Sequence, residues 1–161
     1  PPVVYEHFKN KDDLYRHLVQ DGFDYLTQET LKAMQRVNTP EEKLLKLAEV
    51  RFDFIIKNPT LHHIMFVDLD DSEWQKRELI KATGEIRKYC MELLTEISDD
   101  PRKAPEYFLN MICLIRGYVY FKSKEKMAKR LKADFICRPE GMKILFINAV
   151  KRFLLSIKSN Q

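Results

Sequence analysis

The sequence predicts an all-α fold, and three observations carry that prediction. Only four glycines occur in 161 residues, so little of the chain is built for turns and hairpins. Apolar residues recur at three- and four-residue spacing over long stretches, the period of one helix face. Those stretches open on helix-start signals: Asn10, Thr39-Pro40-Glu41-Glu42, Asn58-Pro59, Asp70-Asp71-Ser72-Glu73 and Arg138-Pro139-Glu140. With 45% hydrophobic and 32% charged residues the composition is that of an ordinary soluble globular chain. Its length suffices for one real core. The formal net charge of +4 is mild and neither demands nor excludes a nucleic-acid partner.

The first stretch reads as the end of one short helix, a tight turn and the start of a long helix. Pro1 and Pro2 suit a helix's first turn, where their missing N–H groups are not needed. Val4 and Phe8 share a face one turn apart. Asn10 suits an N-cap, and Asp12 and Asp13 fall in the positive first turn that follows. The helix is expected from near Lys11 to about Val37, marked by Leu14, Leu18, Phe23, Leu26, Leu31 and Met34. Gly22 is a weak point in its middle.

A lysine at a helix N-terminus adds positive charge where the backbone dipole is already positive, which is unfavourable unless an anion binds. Lys11, the free N–H groups of that turn and the Tyr5 hydroxyl could cradle one DNA phosphate. The plainer alternative leaves Lys11 solvated and Tyr5 in the core. Phe8 reads as core, and His7 either touches the nucleic-acid backbone or faces solvent.

Thr39, Pro40 and Glu42 form a capping-box start for a helix carrying Leu44, Leu47, Ala48, Phe52 and Ile55. It stops before Asn58-Pro59, which restarts a short helix with Leu61, His62, His63, Ile64, Met65 and Phe66. Adjacent helical residues point about 100° apart, so His62 and His63 do not suit one metal ion. The acidic turn at 70–73 and Trp74 lead into a long helix reaching about Ser98, with Leu79, Ala82, Ile86, Cys90, Leu93 and Ile97 on its apolar face. Asp99-Asp100-Pro101 ends it.

From Ala104 to Phe121 the chain is apolar nearly all round, with Asn110 and Arg116 as its polar interruptions. Such a helix is expected to be buried on two sides. Gly117 in its interior suggests a close helix approach. The basic run from Lys122 to Lys132 is most simply a solvated connector, with a nucleic-acid patch as the alternative. The last helix carries Met142, Leu145, Phe146, Ala149, Val150, Phe153, Leu154 and Ile157 as a stripe. Two neighbouring helices with more apolar surface than one small body needs point to a homodimer. Its candidate interface is Tyr107, Met111, Ile115, Tyr118, Phe146, Val150, Phe153 and Leu154.

Cys90, Cys113 and Cys137 are odd in number and widely spaced, showing no disulfide framework or zinc pattern. All three lie in apolar stretches and read as free buried thiols, which fits a reducing cytoplasm. No uncharged run has the length of a membrane span. No Ser-His-Asp elbow or glycine-rich phosphate loop appears, so an enzyme is not expected, and neither a metal nor a cofactor is implied.

The run Val4-Tyr5-x-His7-Phe8-x-x-Lys11-x-x-Leu14 resembles the pattern that closes the helix-turn-helix of the tetracycline-repressor (TetR) family of transcription regulators. The run Asn58-Pro59-x-Leu61-x-x-Ile64-Met65-Phe66 is similar to one found in many bodies of that family. The resemblance implies that Tyr5 ends a recognition helix, that the aromatic pair packs the small head, and that Lys11 opens the next helix. Residues 1–20 would then be the C-terminal part of a DNA-binding domain, and residues 21–161 an effector-binding and dimerisation body. The first helices of that head, with most base-reading residues, would precede Pro1. Val3, Tyr5, His7 and Lys11 are the DNA contacts it implies here.

Function follows from the same resemblance. A dimer would set two recognition helices in successive major grooves of operator DNA. A small, mostly apolar effector in the body would shift the connecting helix and release the operator. Candidate pocket residues are Phe52, His62, Met65, Phe66, Trp74, Tyr89 and Tyr118. The other reading is an all-helical dimeric binding or scaffold module without DNA-binding activity.

Overall fold

Asn10 turns the chain into its first long helix. Its backbone is extended, and its side-chain oxygen accepts the Asp13 N–H at 2.8 Å, while the Asp13 carboxylate accepts the Lys9 N–H at 3.0 Å. This reciprocal cap, with Asp12 and Asp13 beside the positive end of the helix, fixes where the helix begins. The computed structural model describes residues 8–66, 73–123 and 138–159. Among them are six helices and no strand. They are α1 (Lys11–Met34), α2 (Pro40–Lys57), α3 (Pro59–Phe66), α4 (Glu73–Ser98), α5 (Ala104–Ser123) and α6 (Pro139–Ser159).

Each boundary has a local cause. α1 stops three residues short of the expected Val37, because the N–H groups of Arg36 and Val37 close back on the Ala33 and Met34 carbonyls in a tighter turn. That turn frees Thr39 to cap α2. The Glu42 N–H donates to the Thr39 hydroxyl and the Thr39 N–H donates to the Glu42 carboxylate, both at 3.3 Å. The Asn58 N–H and side-chain amide both donate to the Phe54 carbonyl and finish α2. Asp99 adopts a left-handed φ of 52° after α4, a conformation that a short Asp side chain tolerates.

α2 is the central helix and touches each of the other five. On one side Phe52 stacks on Phe146 of α6, with ring centroids 4.9 Å apart and planes 14° apart. Tyr118 of α5 meets the same Phe146 ring edge-on at 5.5 Å, and Tyr107 meets Phe153 at 6.2 Å. Those pairings make α5 and α6 antiparallel. α2 and α6 are antiparallel as well, since Lys143 pairs with Asp53 at 2.6 Å and Lys158 pairs with Glu41 at the other end. Burial, the largest single influence, would raise the Glu41 carboxyl, but the Lys158 hydrogen bond, a backbone hydrogen bond and the Lys158 charge together hold it below its usual range.

On α1 the core face is Val19, Gly22, Phe23, Leu26, Thr30 and Met34. Leu18 and Leu31, expected on that face, lie on its exposed flank. Gly22 is buried and admits α3: a Cβ placed on it would stand 2.6 Å from Met65 Sδ. A Cβ on Gly117 would meet nothing within 4 Å among the described residues, and the close approach they show is at Gly22.

The packing bears on two further expectations, and it corrects the one that placed Cys113 in the interior. Tyr107, Met111, Ile115, Phe146, Val150 and Leu154 are buried within the chain's own core, and Tyr118 and Phe153 pack partly buried against it. They help join α5 and α6 to α2. Cys90 is a buried free thiol, but Cys113 is exposed because it lies on the outer face of α5 with Leu109 and Tyr120. Cys137, the acidic residues 70–72 and nearly all of the Lys122–Lys132 run lie outside the described residues. Among the described residues no helix is long and apolar enough to cross a membrane.

Candidate functional site

Five of the six helices converge on one cavity of about 170 Å³. α1 contributes Leu26, and α2 contributes Arg51, Phe54 and Ile55. α3 contributes His62 and Phe66, and α4 Thr83 and Arg87. Phe108, Ile112, Ile115 and Arg116 of α5 complete the wall. Helical spacing explains the meeting. On α2, Leu44, Leu47, Ala48, Arg51 and Ile55 fall on one face, so Arg51 is carried into the interior at a core position. Arg87 and Arg116 are exposed along the same opening.

The wall is largely apolar, yet three arginines and a histidine are among its lining residues. No Asp or Glu is among the described lining residues. Arg51 Nε is buried and has no hydrogen-bond partner. Burial lowers the Arg51 guanidinium from its ordinary range, Cys90 opposes that shift, and the positive charge of Arg116 reinforces it. Cys90 supplies no counter-charge, because burial pushes its thiol up to about 12. His62 is pushed down to about 4, first by burial and then by Arg116, Arg51 and His63, so it is neutral at physiological pH. A void of about 10 Å³ adjoins the cavity, sharing Leu26, Arg51 and Thr83 and reaching Thr30. That is the lower limit for a single water, which would leave the charge unbalanced.

The cavity is mechanically joined to α1. Phe66 meets Phe23 edge-on at 5.2 Å and lies 4.9 Å from the His62 ring. One residue before it, Met65 fills the space left by Gly22. Nearer the start of α1, the Tyr15 hydroxyl donates to the Ile64 carbonyl at 3.5 Å. Three consecutive residues of α3 thus rest on α1, and the same short helix lines the cavity.

Of the residues expected in a pocket, His62 and Phe66 line this cavity. Met65 is fully buried against Gly22, and Phe52 and Tyr118 are taken up by the Phe146 cluster. Tyr89 lies beneath the Lys43 ammonium at 5.9 Å. The Trp74 side chain lies outside what is described. None of Arg51, Arg87 and Arg116 was expected in the pocket, although Arg116 interrupts an otherwise apolar helix and Arg51 falls on the apolar face of α2. Lys11 is the exposed first residue of α1, and Val3, Tyr5 and His7 lie outside the described residues. Among the described residues no group of three or more His, Cys, Asp or Glu side chains could hold a metal ion.

Two other depressions are shallow. One, of about 260 Å³, lies where Glu41, Glu42 and Leu45 of α2 meet Lys151, Leu154 and Leu155 of α6. The other, of about 370 Å³, runs along α6 itself past Ile144 and Ile147. Neither is walled like the five-helix cavity. In comparisons with models of known protein families and with curated proteins, the chain matches none.

Proposed function

We propose that this chain is the body of a DNA-binding transcription regulator of the TetR type, a repressor whose operator binding is released by a small effector in the five-helix cavity. The observation that carries the reading is the shared use of α3. His62 and Phe66 face the cavity, while Ile64, Met65 and Phe66 rest on α1. An effector that favours one position of α3 biases α1, and it can do so only by binding one arrangement better than the other. α1 then acts as the connecting rod, running without a break from Lys11, the expected phosphate contact, to Met34.

A twofold dimer belongs to this reading, because two heads must be held at the spacing of successive grooves. Supporting it, the outer faces of α5 and α6 leave Leu109 at 59%, Tyr120 at 56%, Ile144 at 58% and Leu155 at 65% exposure. These add to the residues expected from sequence as surface a second copy would cover.

The test is binding of the full-length gene product to its own promoter DNA across a salt series. Saturable binding that prefers the promoter to random DNA and weakens steeply with salt supports the reading. Lys11→Ala should then weaken binding to all sequences alike. Absence of any preference at every salt concentration would replace the regulator with a helical binding module.

A further inference from the structure

We infer that the cavity ligand is a small organic anion: an apolar, ring-sized body ending in a carboxylate that pairs with Arg51 and with the guanidinium groups at the opening. The inference rests on the cavity being the effector site and specifies the effector's chemistry.

The charge balance is its first support. Arg51, Arg87 and Arg116 line one space, and no carboxylate is among its described lining residues. Arg51 Nε lies buried without an acceptor. A buried cation left unpaired is strongly unfavourable, and like charges nearby make it worse. Such a constellation persists where a ligand completes it, and guanidinium is the side chain whose fork matches a carboxylate. The neutral groups beside it fit the same ligand. His62 can donate one ring N–H to an anion, and it gains a proton more easily once the anion is there.

The wall sets the ligand's body. Phe54, Phe66, Phe108 and Ile112 supply apolar surface and ring faces. An enclosed volume of about 150 Å³ takes a benzene-sized guest, so about 170 Å³ suits a single aromatic or compact aliphatic group. A free inorganic anion would leave that wall unused, and a neutral apolar guest would leave Arg51 unpaired.

The test is isothermal titration of the 161-residue chain with phenylacetate and indole-3-acetate, alongside phenylacetamide, indole-3-acetamide and inorganic phosphate. At least one acid should bind about tenfold or more tighter than its amide, a difference of about 1.4 kcal/mol, and tighter than phosphate. Arg51→Met should lose that preference while melting no lower than the parent, which separates lost binding from lost folding. Three results would overturn the inference: amides binding as well as acids, unchanged acid binding in a folded Arg51→Met chain, or no acid binding at millimolar concentration. Phosphate binding as tightly as the acids would overturn the organic body. Operator binding that responds only to a neutral compound would sink the anion and leave the regulator standing.

Discussion

Gly22 of α1 and Met65 of α3 occupy one space: a Cβ on the glycine would fall 2.6 Å from the Met65 sulfur. Met65 is fully buried, so its thioether has little room to yield. Overpacking a filled site costs about 1–3 kcal/mol, against about 1 kcal/mol of helix propensity regained when glycine becomes alanine. Gly22→Ala should therefore destabilise the chain by up to about 2 kcal/mol. Met65→Ala alone should cost about 2–5 kcal/mol, but in its background Gly22→Ala should be neutral or stabilising. Urea unfolding of the four chains measures the coupling. Simple additivity would mean that α1 and α3 are not locked at this point.

That contact also marks where sequence reading stops. The helix starts were legible because each is local: Asn10 and Thr39 find their partners three residues away. Gly22 was legible only as a weak helix former, since its use depends on a residue 43 positions along that α3 brings back to it. The cavity was half legible for the same reason. His62 and Phe66 stand together on one helix, whereas Arg51, Arg87 and Arg116 come from three helices, and only packing makes them neighbours. Excess apolar surface on α5 and α6 was legible, but which face it served was not. Both helices spend their richest stripe on Phe52 and the rest of the core.

Arg51→Met should stabilise the ligand-free chain, by roughly 1–2 kcal/mol, because it removes a guanidinium whose Nε is buried without a hydrogen-bond partner and keeps an apolar stem of similar reach. Thermal unfolding followed by circular dichroism reads this directly. A melting temperature below the parent's would mean that the guanidinium has a counter-charge and a structural role.

His62 gives a pH signature. Its ring is pushed from an ordinary 6.5 to about 4 in the folded chain, by burial first and then by Arg116, Arg51 and His63. Below pH 6.5 the unfolded chain takes up a proton that the folded chain refuses until about pH 4. Stability from this group is therefore lost as pH falls through that window. The parent should lose stability more steeply between pH 6.5 and 4 than His62→Gln. A bound aryl carboxylate should raise the ring's pKa, as seen by NMR titration of its Cε1–H. An unshifted ring in the free protein would contradict the description of the cavity.

The outer faces of α5 and α6 predict a separable dimer. Leu109→Glu and Ile144→Glu replace exposed side chains, so each should change protomer stability by less than about 0.5 kcal/mol. Each should nonetheless shift sedimentation from dimer to monomer. A dimer indifferent to both changes would have its interface elsewhere.

The most direct measurement of the central claim, that the cavity speaks to α1 through α3, is DNA affinity with and without ligand. Fluorescence anisotropy of the full-length protein on its own promoter DNA would be followed while an aryl carboxylate shown to bind is titrated in. The account predicts at least a tenfold loss of affinity at saturation in the parent, a coupling of about 1.4 kcal/mol. It predicts intact but unresponsive DNA binding in Arg51→Met. Unchanged DNA affinity with the cavity demonstrably filled would contradict it.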